Sequence, residues 1–196
     1  MPAEEVEVKV RVDDPGELSH KLTAAGFRLV TPRTHEMNTL YDFSDGRLRA
    51  RGEVLRIRKY GSKWTLTHKT KGNAGKHKSR IETETGLVDG EALAHVFEAV
   101  GLTPSFRYEK YRAEWSDGKG HLVIDETPIG TIAELEGSPE WIDRTADILA
   151  IDESEYITAS YAQMFSEWRT KTGSKAREMT WAETRKGEHE GHEGKK

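Results

Sequence analysis

Pairs of acidic residues two positions apart stand near both ends of the sequence. Glu5 and Glu7 form one pair, and Glu134 and Glu136 form the other. Side chains two positions apart on a β-strand point to the same side, so each pair could present two carboxylates to one cation. The chain contains no cysteine, and carboxylate oxygens select Mg²⁺ or Mn²⁺ over zinc. The spacing therefore favours a hard divalent cation as a ligand.

Basic residues repeat at the same spacing in the middle of the chain. Arginine offers a planar fork and lysine a point charge, so that successive pairs could contact successive phosphate groups. A triphosphate would satisfy these bases, and a metal ion would join it to the acids. The basic pairs are Arg56 with Arg58, Lys69 with Lys71, and Lys110 with Arg112.

The charged positions lie on segments that read as strands of period two. Residues 5–12 alternate completely between valine and a charged residue. With the same period of two, residues 54–59 place Arg56 and Arg58 on one face, and residues 64–71 place Lys69 and Lys71 on one face. Four helices are also marked: they begin at Asp14, at Asp89 and at Ser138, and a fourth carries Tyr161. Residues 18–26 align without gaps to residues 93–101, which favours an architecture of two similar halves.

The charged rows allow two arrangements of the strands. In one, an antiparallel sheet packs its apolar face on helices and turns its charges to water. In the other, the sheet closes and the charges line its interior. The rows are dominated by charged residues whose signs cluster by strand, and about eight strands are enough to close a barrel. We therefore predict an α+β fold: a closed eight-stranded antiparallel β-barrel with flanking helices.

Composition restricts the remaining possibilities. The 196 residues fit one domain, which we place at residues 1–172, and the polar residues 173–196, with Met179 and Trp181 as their only large apolar residues, predict a disordered charged tail. The net charge of −4 argues against a nucleic-acid partner. No apolar segment is long enough to span a membrane, so we expect a cytoplasmic protein, either a monomer or a homodimer.

The series of charged motifs resembles the CYTH superfamily, the triphosphate tunnel metalloenzymes, which includes class IV adenylyl cyclases, thiamine triphosphatases and inorganic triphosphatases. The opening motif Glu5-x-Glu7-x-Lys9 is similar to the hallmark of that family. One departure is Asn38, where relatives often have aspartate, and it leaves the role of Asp42 open. Further similar blocks follow in the family's order: Thr39-Leu-Tyr-Asp42, Leu55-Arg-Ile-Arg58, Lys69, Arg80-Ile-Glu82, Glu109-Lys-Tyr-Arg112, Val123-Ile-Asp125, Ala133-Glu-Leu-Glu136 and Ser160-Tyr161.

The resemblance implies a role for each charged position. Candidate catalytic residues are Lys9, Arg56, Arg58, Lys69 and Glu136. Metal would be held by Glu5, Glu7, Asp125, Glu134 and Glu136. Phosphate contacts would come from Lys9, Arg56, Arg58, Lys69, Lys110 and Arg112, with Arg80 and Lys71 as further members. Glu82 and Glu84 are expected to pair with a neighbouring basic row, and Tyr161 to belong to the core.

Three functions remain open on this basis. The first is a divalent-metal-dependent hydrolase of inorganic triphosphate or a triphosphate ester, with Mg²⁺ or Mn²⁺ as cofactor. The second is an adenylyl cyclase of the class IV type, which would convert ATP to cyclic AMP and pyrophosphate. The third is a non-catalytic module that binds phosphate chains. Since no residue pattern identifies an adenine or thiamine site, the sequence does not choose the substrate.

Overall fold

Eight antiparallel strands form a closed barrel in the computed structural model, which describes residues 2–73 and 75–190, with only the backbone for 186–190. The order around the barrel is β1-β5-β4-β3-β2-β6-β7-β8, and β8 pairs with β1 to close it. The predicted fold is thereby confirmed. The strands are β1 (Ala3–Val12), β2 (Arg28–Phe43), β3 (Val54–Tyr60), β4 (Lys63–Lys69), β5 (Lys78–Leu87), β6 (Leu102–Ser116), β7 (His121–Thr127) and β8 (Gly130–Glu136).

Helices cover parts of the barrel, and their starts agree with the sequence signals. Asp14, Asp89, Ser138 and Ser160 each cap a helix by accepting backbone N–H groups of its first turn. A short helix after β2 and a last helix were not predicted. The helices are α1 (Pro15–Ala24), α2 (Arg47–Ala50), α3 (Gly90–Ala99), α4 (Pro139–Leu149), α5 (Tyr161–Thr172) and α6 (Trp181–Glu190), and a 3₁₀ turn spans Glu153–Glu155. None of the helices within the described residues is both long and apolar enough to cross a membrane.

The strand order contains a twofold relationship. If β1 is exchanged with β5, β2 with β6, β3 with β7 and β4 with β8, every pair of neighbouring strands is again a pair of neighbours. The order around the ring is then read in the reverse direction. Each half places one helix, α1 or α3, between its first and second strands. This arrangement agrees with the two-half architecture that the aligned helical segments predict.

The hydrophobic core lies outside the barrel wall, between strands and helices. Val8 and Val10 of β1 are buried against Leu22 of α1 and against Trp141 and Ile142 of α4. Since neighbouring positions of a strand face opposite sides, the charged residues between these valines face the lumen. The apolar face therefore holds the helices, and the charged face is left for the interior.

Helix α5 closes one end of the lumen. Its residues Tyr161, Met164 and Phe165 form a buried cluster with Tyr108 and Ile132. The last two belong to the inward face, because Tyr108 shares the face of Lys110 on β6 and Ile132 shares the face of Glu134 on β8. The tunnel is consequently a cup whose open mouth lies at the opposite end.

The segment after α5 is packed, so the expectation of a disordered tail does not hold for residues 174–185. Met179 is fully buried, and its backbone exchanges hydrogen bonds with Arg107 and Glu109 of β6. The ring of Trp181 lies 5.2 Å from that of Tyr111. Two large apolar residues thus suffice to fix this polar segment, because β6 offers free backbone groups beyond the end of β7. Residues 191–196 lie outside the described part of the chain.

Candidate active site in the barrel lumen

The register of the strands determines which charged side chains share the lumen. Residues directly opposite each other in antiparallel strands point to the same side, so the inward face can be followed around the ring. Apart from Arg11 and Lys63, which share this face near the ends of β1 and β4, it carries eight lysines and arginines and nine acids among the described residues, and these formal charges almost cancel. The bases are Lys9, Arg56, Arg58, Lys69, Lys78, Arg80, Lys110 and Arg112, and the acids are Glu5, Glu7, Glu36, Glu82, Glu84, Glu114, Asp125, Glu134 and Glu136.

The acidic pairs predicted from the sequence meet where β1 lies beside β8. Glu7 is opposite Glu136 and Lys9 is opposite Glu134. The ammonium group of Lys9 lies 2.8 Å from Glu7 and 3.5 Å from Glu134, and so holds these two carboxylates together. Burial alone would raise the pKa of Glu7, but the charges of Lys9, Lys78 and Lys69 together outweigh it and lower that pKa to about 2.

Glu136 stands at the open mouth of the tunnel and has a different environment. Desolvation together with the nearby charges of Glu5 and Glu134 raises the pKa of Glu136 to about 7. Glu136 is exposed, and a cavity of about 170 Å³ lies between Glu5, Glu136 and His121. The electrostatic field at this position therefore favours an added positive charge.

Glu5 links the acidic pairs to the basic strands. Its carboxylate accepts hydrogen bonds of 2.6 and 2.7 Å from Lys69 and one of 3.1 Å from Arg80. Lys69 also contacts Glu82, as expected from its opposite position on β5. Lys69 and Arg80 are thereby placed in the lumen with the acids rather than on a separate face.

Asp125 lies deep in the tunnel, enclosed by hydrogen-bond donors. Lys110 donates at 2.8 Å, Arg112 donates at 2.7 and 2.6 Å, and the hydroxyl of Tyr161 donates at 2.6 Å. Arg112 reaches Glu134 as well, at 2.6 Å. Every oxygen of Asp125 is engaged, so this carboxylate organises the basic residues around it.

The arginines of β3 add to the basic surface of the lumen. Arg56 donates to the hydroxyls of Tyr108 (3.3 Å) and Thr67 (3.2 Å). Arg58 donates to Glu84 at 3.0 Å. The predicted pairing of Glu84 with a basic row is confirmed, and both guanidinium groups face the lumen as the alternation indicates.

Comparison with known proteins identifies the family. A family model described as the CYTH domain matches residues 3–164. The chain belongs to the CYTH family. It is 27% identical over 171 residues to a Methanocaldococcus jannaschii protein named as a candidate adenylate cyclase, an alignment that covers 82% of this chain and 97% of the relative.

Solved structures share the fold of this CYTH protein at lower identity. A candidate adenylate cyclase from Vibrio parahaemolyticus superposes with a TM-score of 0.73 at 18% identity, covering 83% of this chain and 97% of the other. A Hippeastrum protein, described as a candidate adenylyl cyclase with a dominant triphosphatase activity, superposes with a TM-score of 0.62 at 20% identity. That alignment covers 83% of this chain and 95% of the other.

Twelve of the thirteen site residues proposed from the sequence face the lumen of the barrel, and Lys71 does not. Lys71 follows the end of β4, is exposed, and has its side chain beside Gly52 in the turn before β3. The strand pattern was extended two residues too far, because β4 ends at Lys69, where its pairing with β5 ends. Lys71 therefore lies apart from the other bases.

Two charged lumen residues were missed, and one open question is resolved. Glu36 and Lys78 face inward, and each shares a strand face with a residue that the sequence did select or question. Extending the two-residue period along β2 and β5 would have found them. Asp42, whose role the sequence left open, accepts backbone hydrogen bonds from Leu48 and from two other residues and so fixes the start of α2.

The donor set at the mouth fits a hard divalent cation by its chemistry. Within the described ranges no three acidic or histidine side chains are already arranged around one point to hold an ion. Glu5, Glu7 and Glu134 instead contact bases, whereas the raised pKa of Glu136 marks a deficit of positive charge. These four carboxylates are hard oxygen donors of the kind that Mg²⁺ or Mn²⁺ prefers, no thiolate competes with them, and the imidazole of His121 lines the same cavity as Glu5 and Glu136. Asp125 is less suited, because its oxygens are already engaged.

Proposed function

We propose that this protein is a divalent-metal-dependent triphosphatase that binds inorganic triphosphate, or a triphosphate ester, inside the barrel. The observation that carries the proposal is the convergence of eight lumen bases with a carboxylate cluster in a cup that has one open mouth. A phosphate chain needs several positive contacts in a row, and hydrolysis of its terminal group depends mainly on positioning and charge neutralisation.

Each group of lumen residues has a role in this proposal. Glu5, Glu7, Glu134 and Glu136 would hold the cation, which supplies charge neutralisation at the phosphate oxygens. Arg56, Arg58, Lys110 and Arg112 would hold the phosphate groups through charge-assisted hydrogen bonds. Lys9 and Lys69 lie between the two sets and would contact both. Because α5 closes the far end, the terminal phosphate would be the group that enters first.

Names of relatives support a second candidate. The proteins from Methanocaldococcus jannaschii and Vibrio parahaemolyticus are named as candidate adenylate cyclases. In that reaction the same bases would hold ATP while its ribose 3′-oxygen attacks the α-phosphorus and pyrophosphate leaves. We favour hydrolysis because the Hippeastrum protein, although named for cyclisation, is described by its triphosphatase activity.

One assay separates the candidates. The purified protein is given tripolyphosphate, ATP or thiamine triphosphate with Mg²⁺ or Mn²⁺, and phosphate release and cyclic AMP are measured in parallel. We expect phosphate release. Cyclic AMP as the main product would establish the cyclase instead, and tight binding without turnover of any substrate would establish a binding module.

Glu136→Gln tests the site itself. The substitution removes the carboxylate charge at the mouth but keeps the side-chain shape, so turnover should be lost while the circular dichroism spectrum is retained. Glu126→Gln is the matched control, because Glu126 lies on the outer face of β7, where it pairs with exposed Arg33. Near-normal turnover by Glu136→Gln would contradict the assignment.

A further inference from the structure

Glu36 is a buried carboxylate that neither the charged motifs nor the proposed mechanism uses. It lies in the middle of β2, fully inaccessible to solvent. Its Oε1 accepts a hydrogen bond of 2.8 Å from the side-chain amide of Asn38. Since β2 and β1 are four places apart in the ring of eight strands, Glu36 faces the carboxylate cluster from the opposite wall.

Three bases surround Glu36 without forming short hydrogen bonds to it. Lys110 Nζ lies 3.5 Å from Oε1, and Arg58 Nη1 and Arg112 Nε each lie 4.0 Å from Oε2. Within the described residues Oε2 has no hydrogen-bond partner. Well-formed N–H···O bonds are about 2.7–3.2 Å long, so the donors of these bases are only loosely held by Glu36.

The surroundings keep Glu36 charged. Burial would raise its pKa, but the charges of Lys110, Arg112 and Arg58 outweigh burial and hold the pKa far below the ordinary glutamate value. A negative charge is therefore fixed among the basic residues of the lumen. The three bases around it are among those that would contact phosphate in the proposed function.

We propose that Glu36 is a built-in anion that offsets part of the positive charge of Arg58, Lys110 and Arg112 in the ligand-free tunnel and limits how tightly the tunnel binds a phosphate chain. This inference rests on the proposed function, because a phosphate chain must be the ligand. A phosphate group that approaches the three bases also approaches the carboxylate of Glu36, and the repulsion between these anions subtracts from the attraction of the bases. Glu36 is thus an affinity-determining residue.

Glu36→Gln tests the proposal by removing the charge and keeping the shape. The amide oxygen can still accept from Asn38, so the local hydrogen bond is preserved. We expect the variant to bind tripolyphosphate roughly tenfold more tightly than the wild type, measured by calorimetry with metal chelated; a tenfold change corresponds to about 1.4 kcal/mol. Unchanged or weaker binding would overturn the proposal.

Glu84→Gln is the matched control. Glu84 contacts the same Arg58 at 3.0 Å, but its side chain is 34% exposed at the mouth, where water screens its charge. We expect less than about a twofold change in tripolyphosphate affinity for this variant, since screened charges interact weakly. An equal effect of both substitutions would show that any loss of negative charge suffices, and would remove the special role of Glu36.

A stability measurement covers the case in which Glu36→Gln folds poorly. Without Glu36 the three bases lose one of their counter-charges, while Asp125, Glu134 and Glu84 remain. The Tm should therefore fall, and added tripolyphosphate should raise the Tm of the variant more than that of the wild type. A variant that stays unfolded even with tripolyphosphate would contradict the proposal. A loss of kcat with unchanged binding would assign Glu36 to water positioning instead, and a loss of Mg²⁺ binding would assign it to a metal.

Failure of the proposed function gives a different result. In that case the wild type would neither bind nor hydrolyse tripolyphosphate. If the wild type binds tripolyphosphate and Glu36→Gln binds it no more tightly, only the inference about Glu36 is overturned.

Discussion

The hydroxyl oxygen of Tyr161 lies 2.6 Å from Asp125 Oδ2, so that a residue of a flanking helix completes the shell of donors around the deepest lumen carboxylate. The Tyr161 ring also lies beneath two cations, Lys110 at 4.6 Å and Lys9 at 5.7 Å. The sequence placed Tyr161 in the core because it shares a helix with Phe165 and Trp168. In the structure it is both a core residue and part of the floor of the tunnel.

Removal of this hydroxyl should weaken the fold and disturb the floor. Tyr161→Phe should lower the free energy of unfolding by about 1–2 kcal/mol, because a buried carboxylate loses one donor but keeps three others. Urea denaturation measures the change. Tyr156→Phe is the control: its hydroxyl contacts half-exposed Asp143 at 3.4 Å, and the expected change is below about 0.5 kcal/mol. Equal losses would mean that the contact with Asp125 has no special weight.

The raised pKa of Glu136 predicts how stability depends on pH. In the unfolded chain this glutamate ionises near pH 4.5, whereas in the folded protein it keeps its proton until about pH 7. The unfolded state therefore releases the proton first, and the stability of the metal-free protein should fall as the pH rises from about 4.5 to about 7. Glu7, with a pKa of about 2, has the opposite effect on stability: its contribution is lost as the pH falls from 4.5 to about 2.

Thermal unfolding at several pH values, with metal chelated, checks this expectation. Glu136→Gln should flatten the dependence between pH 4.5 and 7, because the titrating group is gone. Added Mg²⁺ should raise the Tm of the wild type more at pH 8 than at pH 6, since the ionised carboxylate is the metal ligand. The same slope in wild type and variant would show that another group titrates in this range.

Arg112 should be intolerant of replacement even by lysine. Its guanidinium joins Asp125 and Glu134 through three short hydrogen bonds, a geometry that one ammonium group cannot reproduce. Arg112→Lys should cost about 2–4 kcal/mol of stability, because buried charges lose their partner. Arg33→Lys breaks a similar two-bond contact with Glu126 on the exposed outer surface, where the expected cost is at most about 1 kcal/mol. Urea denaturation of both variants directly compares a buried and an exposed contact between a guanidinium group and a carboxylate.

The segment after α5 should contribute to stability. Met179→Ala should lower the free energy of unfolding by about 2–4 kcal/mol, because a fully buried side chain is replaced by a cavity. Ile148→Ala is the control, since Ile148 is an apolar residue that is largely exposed on α4. A Met179 variant as stable as the control would show that this segment is only loosely attached.

Strand periodicity predicted much of this structure for a simple physical reason. In β1 each valine alternates with a charged residue, so one register assigns the whole strand to two faces. That rule placed Lys9, Arg56 and Glu134 correctly. It failed at Lys71, because periodicity does not say where strand pairing ends. It was also not applied to β2, where Glu36 shares a face with Asn38 and Leu40 rather than with further charges.

The last part of the chain was harder to read from composition. A polar segment is expected to remain disordered because it buries little apolar surface. Residues 174–185 become ordered nevertheless, because Met179 fills a gap against α5 and its backbone completes free hydrogen-bonding groups on β6. Such a tertiary contact depends on the position of another strand's end, which local sequence does not encode.

Because α5 closes one end of the barrel, the lumen is reached through the mouth beside Glu136. Under the proposed hydrolysis, a phosphate chain that enters past Glu136 would leave by the same route, and a product nearer the mouth would depart before one held beside Tyr161. New substrate would not enter behind the products while they remain. Product release would then be sequential, and the last product to leave would be the one bound deepest among Asp125, Lys110 and Arg112.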